Sequence, residues 1–359
     1  MKPISAAPPF LRDIWDTLRA EQRDILLYGM GNGADKLLAV LEARGIAVAG
    51  IFASDGFVRG HSFHGMRVRS YSEICAQYAP GECVVLLAFG SSRPEVLSLF
   101  DRVAQRYPLL VPDLPVCGDT LFTADYYQAH KAEFEQARAL LCDEDSRALF
   151  DRILACKLTG EYILLDKAVS AVGAWEILDK HPISRMADFG AYTGDSGREA
   201  MTRTHLDFLL AAEPDRRNFK KLTAWAQTIS DCEIDCRAAA VCDHCGVADF
   251  DDSGNRNAGL CTGRAGATVA VATPDSLLDG RAVDYMKFDV EGAEAAALRG
   301  SVQTIRTHRP AVRVALYHRP EDLFALPLLL REICPEYDYY LTRLRGCPAW
   351  DIDLVALPR

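Results

Sequence analysis

Two stretches of this chain end an apolar run on a glycine turn and follow the turn at once with a helix. The first is RDILLYGMGNGADKLLAVLEARG, residues 23–45, and the second is SRMADFGAYTGDSGREAMTRT, residues 184–204. A short buried run, a glycine turn and an amphipathic helix make half of a βαβ unit, which commits a chain to a parallel sheet with right-handed crossovers. In each case a further apolar run follows the helix, IAVAGIFAS (residues 46–54) and DFLLAAE (residues 207–213). The period-2 and period-3.6 patterns continue in alternation on both sides of a long middle segment.

With 359 residues the chain exceeds a single ordinary core. We read an α/β protein of two Rossmann-like three-layer domains, residues 1–117 and 182–359, joined by a helical connector at 118–181. The first domain has strands in RDILLYG, IAVAGIFAS and ECVVLLAFG, and it ends where LLVPDLPVCGD loses periodicity. In the second, CEIDCRAAAV reads as a third strand, VDYMKFD as the fourth and RPAVRVALYH as the fifth. YYLTRL and DIDLVALP close a mostly parallel, seven-stranded sheet. A polar, glycine-rich insertion covers 249–266, where it is expected to wall a substrate site together with the connector.

The formal charge of −10 sets the molecule against nucleic acid and anionic membranes. There is no apolar run of membrane-spanning length and no signal-peptide core, so a cytoplasmic location is expected. The partner expected is a small-molecule or carbohydrate acceptor, with a homodimer compatible. Twelve cysteines without an export signal read as thiols. The cluster Cys232, Cys236, Cys242, Cys245 has one C-x-x-C pair only, so buried thiols are favoured over zinc and no metal is expected.

The first turn, Gly29-Met-Gly-Asn-Gly-Ala34, fits G-x-G-x-x-G/A, with Asp55 at the end of the next strand as a ribose-binding acid. A tight strand–helix turn that needs glycine for its own geometry gives the same pattern. The second turn differs in being opened by an acid: Asp188-x-Gly190-Ala191-x-x-Gly194, with Tyr192 and Thr193 between, and Glu213-Pro214 ending the following strand. A carboxylate there repels a pyrophosphate but suits a ligand with a cationic amino-acid end, such as S-adenosylmethionine, while Glu213 can accept from both ribose hydroxyls.

Farther on, the strand in VDYMKFDVEGAEAAALRG leads into Asp289, Glu291 and Glu294 within six positions, a costly arrangement unless a cation or a proton sits among them. Together with the Asp188 turn and Glu213-Pro214, the run Lys287-Phe-Asp-Val-Glu-Gly-Ala-Glu294 resembles the FkbM-type family of S-adenosylmethionine-dependent methyltransferases. The likeness continues through Leu298-Arg299-Gly300, Arg309-Pro310 and Tyr317-His318, over about residues 181–359. The N-terminal part looks like the small nucleotide-sugar-binding Rossmann domains found on some sugar-modifying enzymes.

The resemblance implies a class I methyltransferase fold and O-methylation of a hydroxyl on a sugar or secondary metabolite. Carried over by position, Asp188, Gly190, Ala191 and Gly194 cradle the methionine part and Glu213 takes the ribose. Asp243 faces adenine, and Asp289 stands beside the transferring methyl. Glu291, Glu294 and His318 are the candidates for base or acceptor-binding group, His318 because its free pKa is near neutral. Acids in the first turn of a helix also favour its dipole without any catalytic part. The competing classes are a sugar-nucleotide- or NAD-binding protein with a non-catalytic methyltransferase-like domain, and a nicotinamide-dependent oxidoreductase led by the first turn.

Overall fold

Runs of branched and aromatic side chains with almost no exposure form the middle of two separate sheets. The computed structural model describes residues 12–58, 60, 62–250 and 267–359. The first sheet contains β1 (Asp24–Tyr28), β2 (Gly50–Ala53), β3 (Ser62–Phe63), β4 (Met66–Ser70), β5 (Cys83–Leu87) and β6 (Leu109–Leu110) in the order β3-β4-β2-β1-β5-β6. β1 pairs in parallel with β2 and β5, as the alternation predicts. β4 was not legible as an apolar run because MRVRS carries two arginines. Its strand character comes from parallel pairing with β2, Ile51 opposite Val68.

The middle segment is helical, in Ala124–Ala129, Lys131–Leu140, Glu144–Thr159, Tyr162–Lys167 and Ala174–Leu178. Thr123 and Asp143 cap two of these helices through their side-chain oxygens. Phe134 meets Phe324 edge-on at 4.8 Å, and Cys142 N donates to Tyr339 O at 2.8 Å, so the segment packs against the second sheet and its covering helix.

The second sheet contains β7 (Arg185–Phe189), β8 (Phe208–Ala212) and β9 (Glu233–Arg237). β10 (Ala239–Val241), β11 (Gly246–Phe250) and β12 (Ala267–Ala272) follow in the chain. It then continues with β13 (Tyr285–Phe288), β14 (Ala311–Ala315), β15 (Tyr337–Arg343) and β16 (Ile352–Pro358). Seven of these run in the order β15-β16-β14-β13-β7-β8-β9, with only β16 antiparallel to its neighbours. The expected strand CEIDCRAAAV divides at Ala238. β9 is a half-exposed edge that pairs with β8, whereas β10 is buried and joins β12 and β11 in a small sheet of its own. Residues 251–266 of the expected insertion lie outside the described residues.

Chain order runs outward from β7 in both directions, through β8 and β9 on one side and β13 and β14 on the other. The carboxyl ends of β7 and β13 therefore flank the crevice where open α/β sheets receive ligands. Among the described residues no helix is long and apolar enough to cross a membrane.

Candidate active site

A cleft of about 570 Å³ opens at that crevice. β7 carries Asp188, buried behind it, and the chain then turns through Gly190, which lines it, at φ +83°. A side chain there would overlap the carbonyl oxygen of Asp289, so the close approach of the two strand ends requires glycine. The turn is pinned to β8: Gly190 N and Ala191 N both donate to Ala212 O, at 3.1 and 3.0 Å. Asp188 is buried, with Lys287 Nζ 3.4 Å from Oδ1 and no partner on Oδ2. Burial lifts its carboxyl to about 6, against the opposing pull of Lys287.

Glu213 follows β8 and is also buried. Its two oxygens accept from Tyr192 N at 2.8 Å and Asp215 N at 2.9 Å, which fixes the carboxylate plane. Burial raises it to about 7, with those two amides acting in the opposite direction. Each oxygen retains a lone pair for a further donor.

On the other side β13 presents Asp289, and the chain then passes through Glu291 at φ +53° into a short helix starting at Glu294. Glu294 Oε1 accepts from Val290 N at 2.8 Å and Gly292 N at 3.3 Å and lies 3.0 Å from His318 Nδ1. His318 Nε2 lies 3.5 Å from both Asp289 and Glu291. The imidazole is fully buried, which by itself would lower its pKa. The carboxylates of Glu294, Asp289 and Glu291 outweigh that and raise the ring to about 10. It is therefore an imidazolium at neutral pH. Together with Lys287, 3.6 Å from Asp289, it supplies the positive charge that so many carboxylates demand. Asp289 is buried enough to favour its neutral form, yet Lys287, His318 and Arg313 hold it below the usual carboxylate range. Glu291 goes the other way, pushed up to about 7 by burial, with His318 opposing and Asp289 reinforcing.

The cleft brings together Gly190, Tyr192, Glu213, Pro214, Asp289 and Glu291. Asp188, Ala191 and Gly194 are buried behind it, and Thr193 is half-buried in the same turn. Asp243 is not among the lining residues: it is exposed and accepts from His244 Nδ1 at 2.8 Å, while Val241 takes the place on the wall. His318 does not line the cleft: it is fully buried behind Asp289 and Glu291, and the three carboxylates around it favour its protonated form. Glu294 does not line the cleft: it is buried, with Oε1 held by two amides and beside the imidazole.

Sequence reasoning gave no role to Lys287. A lone cation in an apolar run, two residues before Asp289 and hence on the same strand face, was the available signal. Tyr317, whose hydroxyl donates to Asp289 Oδ1 at 3.2 Å, entered only as part of the resemblance and without a role, and Cys117, whose thiol donates to Glu291 O at 3.0 Å, had no local signal. Ligand-type atoms of Asp289, Glu294 and His318 lie within 4.8 Å of one another, as do those of Cys242, Asp243 and His244. In the former group the protonated ring occupies the cationic role.

With its six- and seven-stranded, mostly parallel sheets, the molecule has the fold of a methyltransferase. The solved methyltransferase FkbM from Methylobacillus flagellatus KT shares it with a TM-score of 0.71 at 18% identity, over 95% of this chain and 92% of that one. A putative O-methyltransferase from Klebsiella pneumoniae is a looser likeness, with a TM-score of 0.34 at 11% identity over 66% of this chain and 97% of its own. No curated protein matches the sequence. Residues 188–341 match the family model described as the methyltransferase FkbM domain.

Proposed function

We propose that the protein is an S-adenosylmethionine-dependent methyltransferase acting on a hydroxyl of a sugar or other small metabolite. The observation that carries this reading is the meeting of Glu213, Asp289 and Glu291 around one cleft at the reversal of strand order, with Asp188 buried directly behind it. Two features of the chain fit the cofactor. The Gly190 turn lines the cleft, and buried Asp188 behind it keeps an unpartnered oxygen, the kind of acceptor a cationic amino-acid end needs. Bound there, the cofactor supplies an electrophilic methyl group on a sulfonium.

Asp188 receives the ammonium and Glu213 the ribose hydroxyls. Asp289, kept ionised by Lys287 and His318, places a fixed negative charge beside the sulfonium. Glu291 is the base. It is partly open to the cleft, and a pKa of about 7 suits proton removal from a hydroxyl at neutral pH. His318 acts as a positioning cation beneath both acids.

Because the base works deprotonated, kcat should rise with pH through about 7 and level off above it. Glu291→Gln should lower kcat by about 10²- to 10⁴-fold and remove that rise, while leaving S-adenosylmethionine affinity in place. Release of S-adenosylhomocysteine with a panel of hydroxylated acceptors measures both. An unchanged kcat in the variant would remove Glu291 from the chemistry.

A further inference from the structure

The acceptor's charge is restricted by the half of the cleft beyond Asp289. Among the described lining residues of the whole cleft, carboxylates outnumber cations seven to two. Both cations are already committed: Lys287 lies 3.4 Å from Asp188 and 3.6 Å from Asp289, and Arg313 Nη2 donates to Asp353 at 2.7 Å. A phosphate or carboxylate on the acceptor would meet like charge and no free counter-ion, a cost rather than a contact.

Asp351 sits on the same wall, at φ +55°, immediately before β16. No ion pair or side-chain hydrogen bond engages its carboxylate among the described residues. Beside it Trp350 leaves 37% of its surface exposed in the cleft wall, a large aromatic surface that a buried core would normally cover. The position of this pair is fixed from the first sheet. Ser91 N donates to Cys347 O at 2.7 Å and Cys347 N to Ser91 O at 3.0 Å, a two-bond bridge between the loop after β5 and the turn before β16. At Gly90 an added side chain would press on Trp350 and Pro348, so the loop lies directly against the ring.

An uncommitted carboxylate next to an accessible indole is the chemistry that receives an ammonium group, by charge and by the ring's negative face. We infer that the acceptor is net cationic, an amine-bearing polyol of the amino-sugar class, whose ammonium is taken by Asp351 and Trp350 while a hydroxyl faces Glu291. This rests on the methyl-transfer reading and makes the first sheet a determinant of acceptor choice.

The test uses the full chain loaded with S-adenosylhomocysteine, loading being established first by calorimetry. Glucosamine, glucose and glucuronate share one skeleton and differ in charge, and saturation-transfer NMR ranks their binding. The expected order is glucosamine, glucose, glucuronate, with about a tenfold span from first to last that narrows as salt is added. Asp351→Asn, which keeps a residue tolerant of positive φ, and Trp350→Ala should each erase most of glucosamine's advantage over glucose. Glucuronate binding as well as glucosamine, an order untouched by both variants, or no sugar binding to the loaded protein would overturn the inference and leave the methyl-transfer reading standing. Failure of S-adenosylhomocysteine to bind would remove both.

Discussion

The two glycine turns look alike in the sequence and have different neighbours in the fold. In the first, the glycines answer internal packing: a side chain at Gly33 would strike the carbonyl of Ala88, and one at Gly29 the ring of Phe89. The acid that follows it, Asp55, is already bonded to Ser72, accepting from its amide at 2.9 Å and its hydroxyl at 2.7 Å. In the second turn the glycine answers the close approach of two strand ends, and its acids keep unused acceptor capacity. A glycine signature thus reports that backbones come close. Whether a ligand follows depends on what the nearby acids already hold.

The largest separation between the two regions should come from buried charge, which only the second turn has beside it. His318→Gln leaves Glu294, Asp289 and Glu291 facing one another and should cost about 3–5 kcal/mol in urea unfolding near neutral pH. The pH dependence has a definite sign. The folded pKa of about 10 lies above the free value of 6.5, so the stabilisation from His318 is complete below about 6.5 and is lost as pH rises through about 10. The variant should lose that alkaline decline. A variant as stable as the parent would mean the ring is not the counter-ion described.

Next in size, Gly190→Ala should destabilise by about 3 kcal/mol, from positive φ and backbone overlap, and should also abolish S-adenosylmethionine binding. Gly33→Ala should destabilise too, yet in the molecules that remain folded the affinity should be unchanged. Equal effects on binding would erase the distinction between the turns. Smaller again, Asp289→Asn should fold normally with turnover reduced by about 100-fold or more, read as S-adenosylhomocysteine release. Normal turnover would take Asp289 out of the reacting centre.

The sequence was most readable where local chemistry and fold coincide. The βα turns, the central strands and the position of Asp188, Glu213 and Asp289 at strand ends all follow from short-range patterns. β4 was hidden because its pairing with β2, not its composition, makes it a strand. The division of CEIDCRAAAV was hidden because the strand changes partners between sheets without a break in apolar character. His318 looked like a base because its free pKa is near neutral; three carboxylates from a segment some 25 residues earlier turn it into a cation. Cys117 and the Ser91–Cys347 bridge join residues more than 170 positions apart, with no trace in either local stretch.

The most direct test is a calorimetric titration of the parent, Glu213→Ala and Asp55→Ala proteins with S-adenosylmethionine and with NAD. The cofactor should bind the parent at one site, lose about 10- to 100-fold in affinity in Glu213→Ala and keep its affinity in Asp55→Ala, while NAD gives no heat. Binding of NAD that depends on Asp55, or S-adenosylmethionine affinity indifferent to Glu213, would contradict the assignment of the ligand to the second crevice.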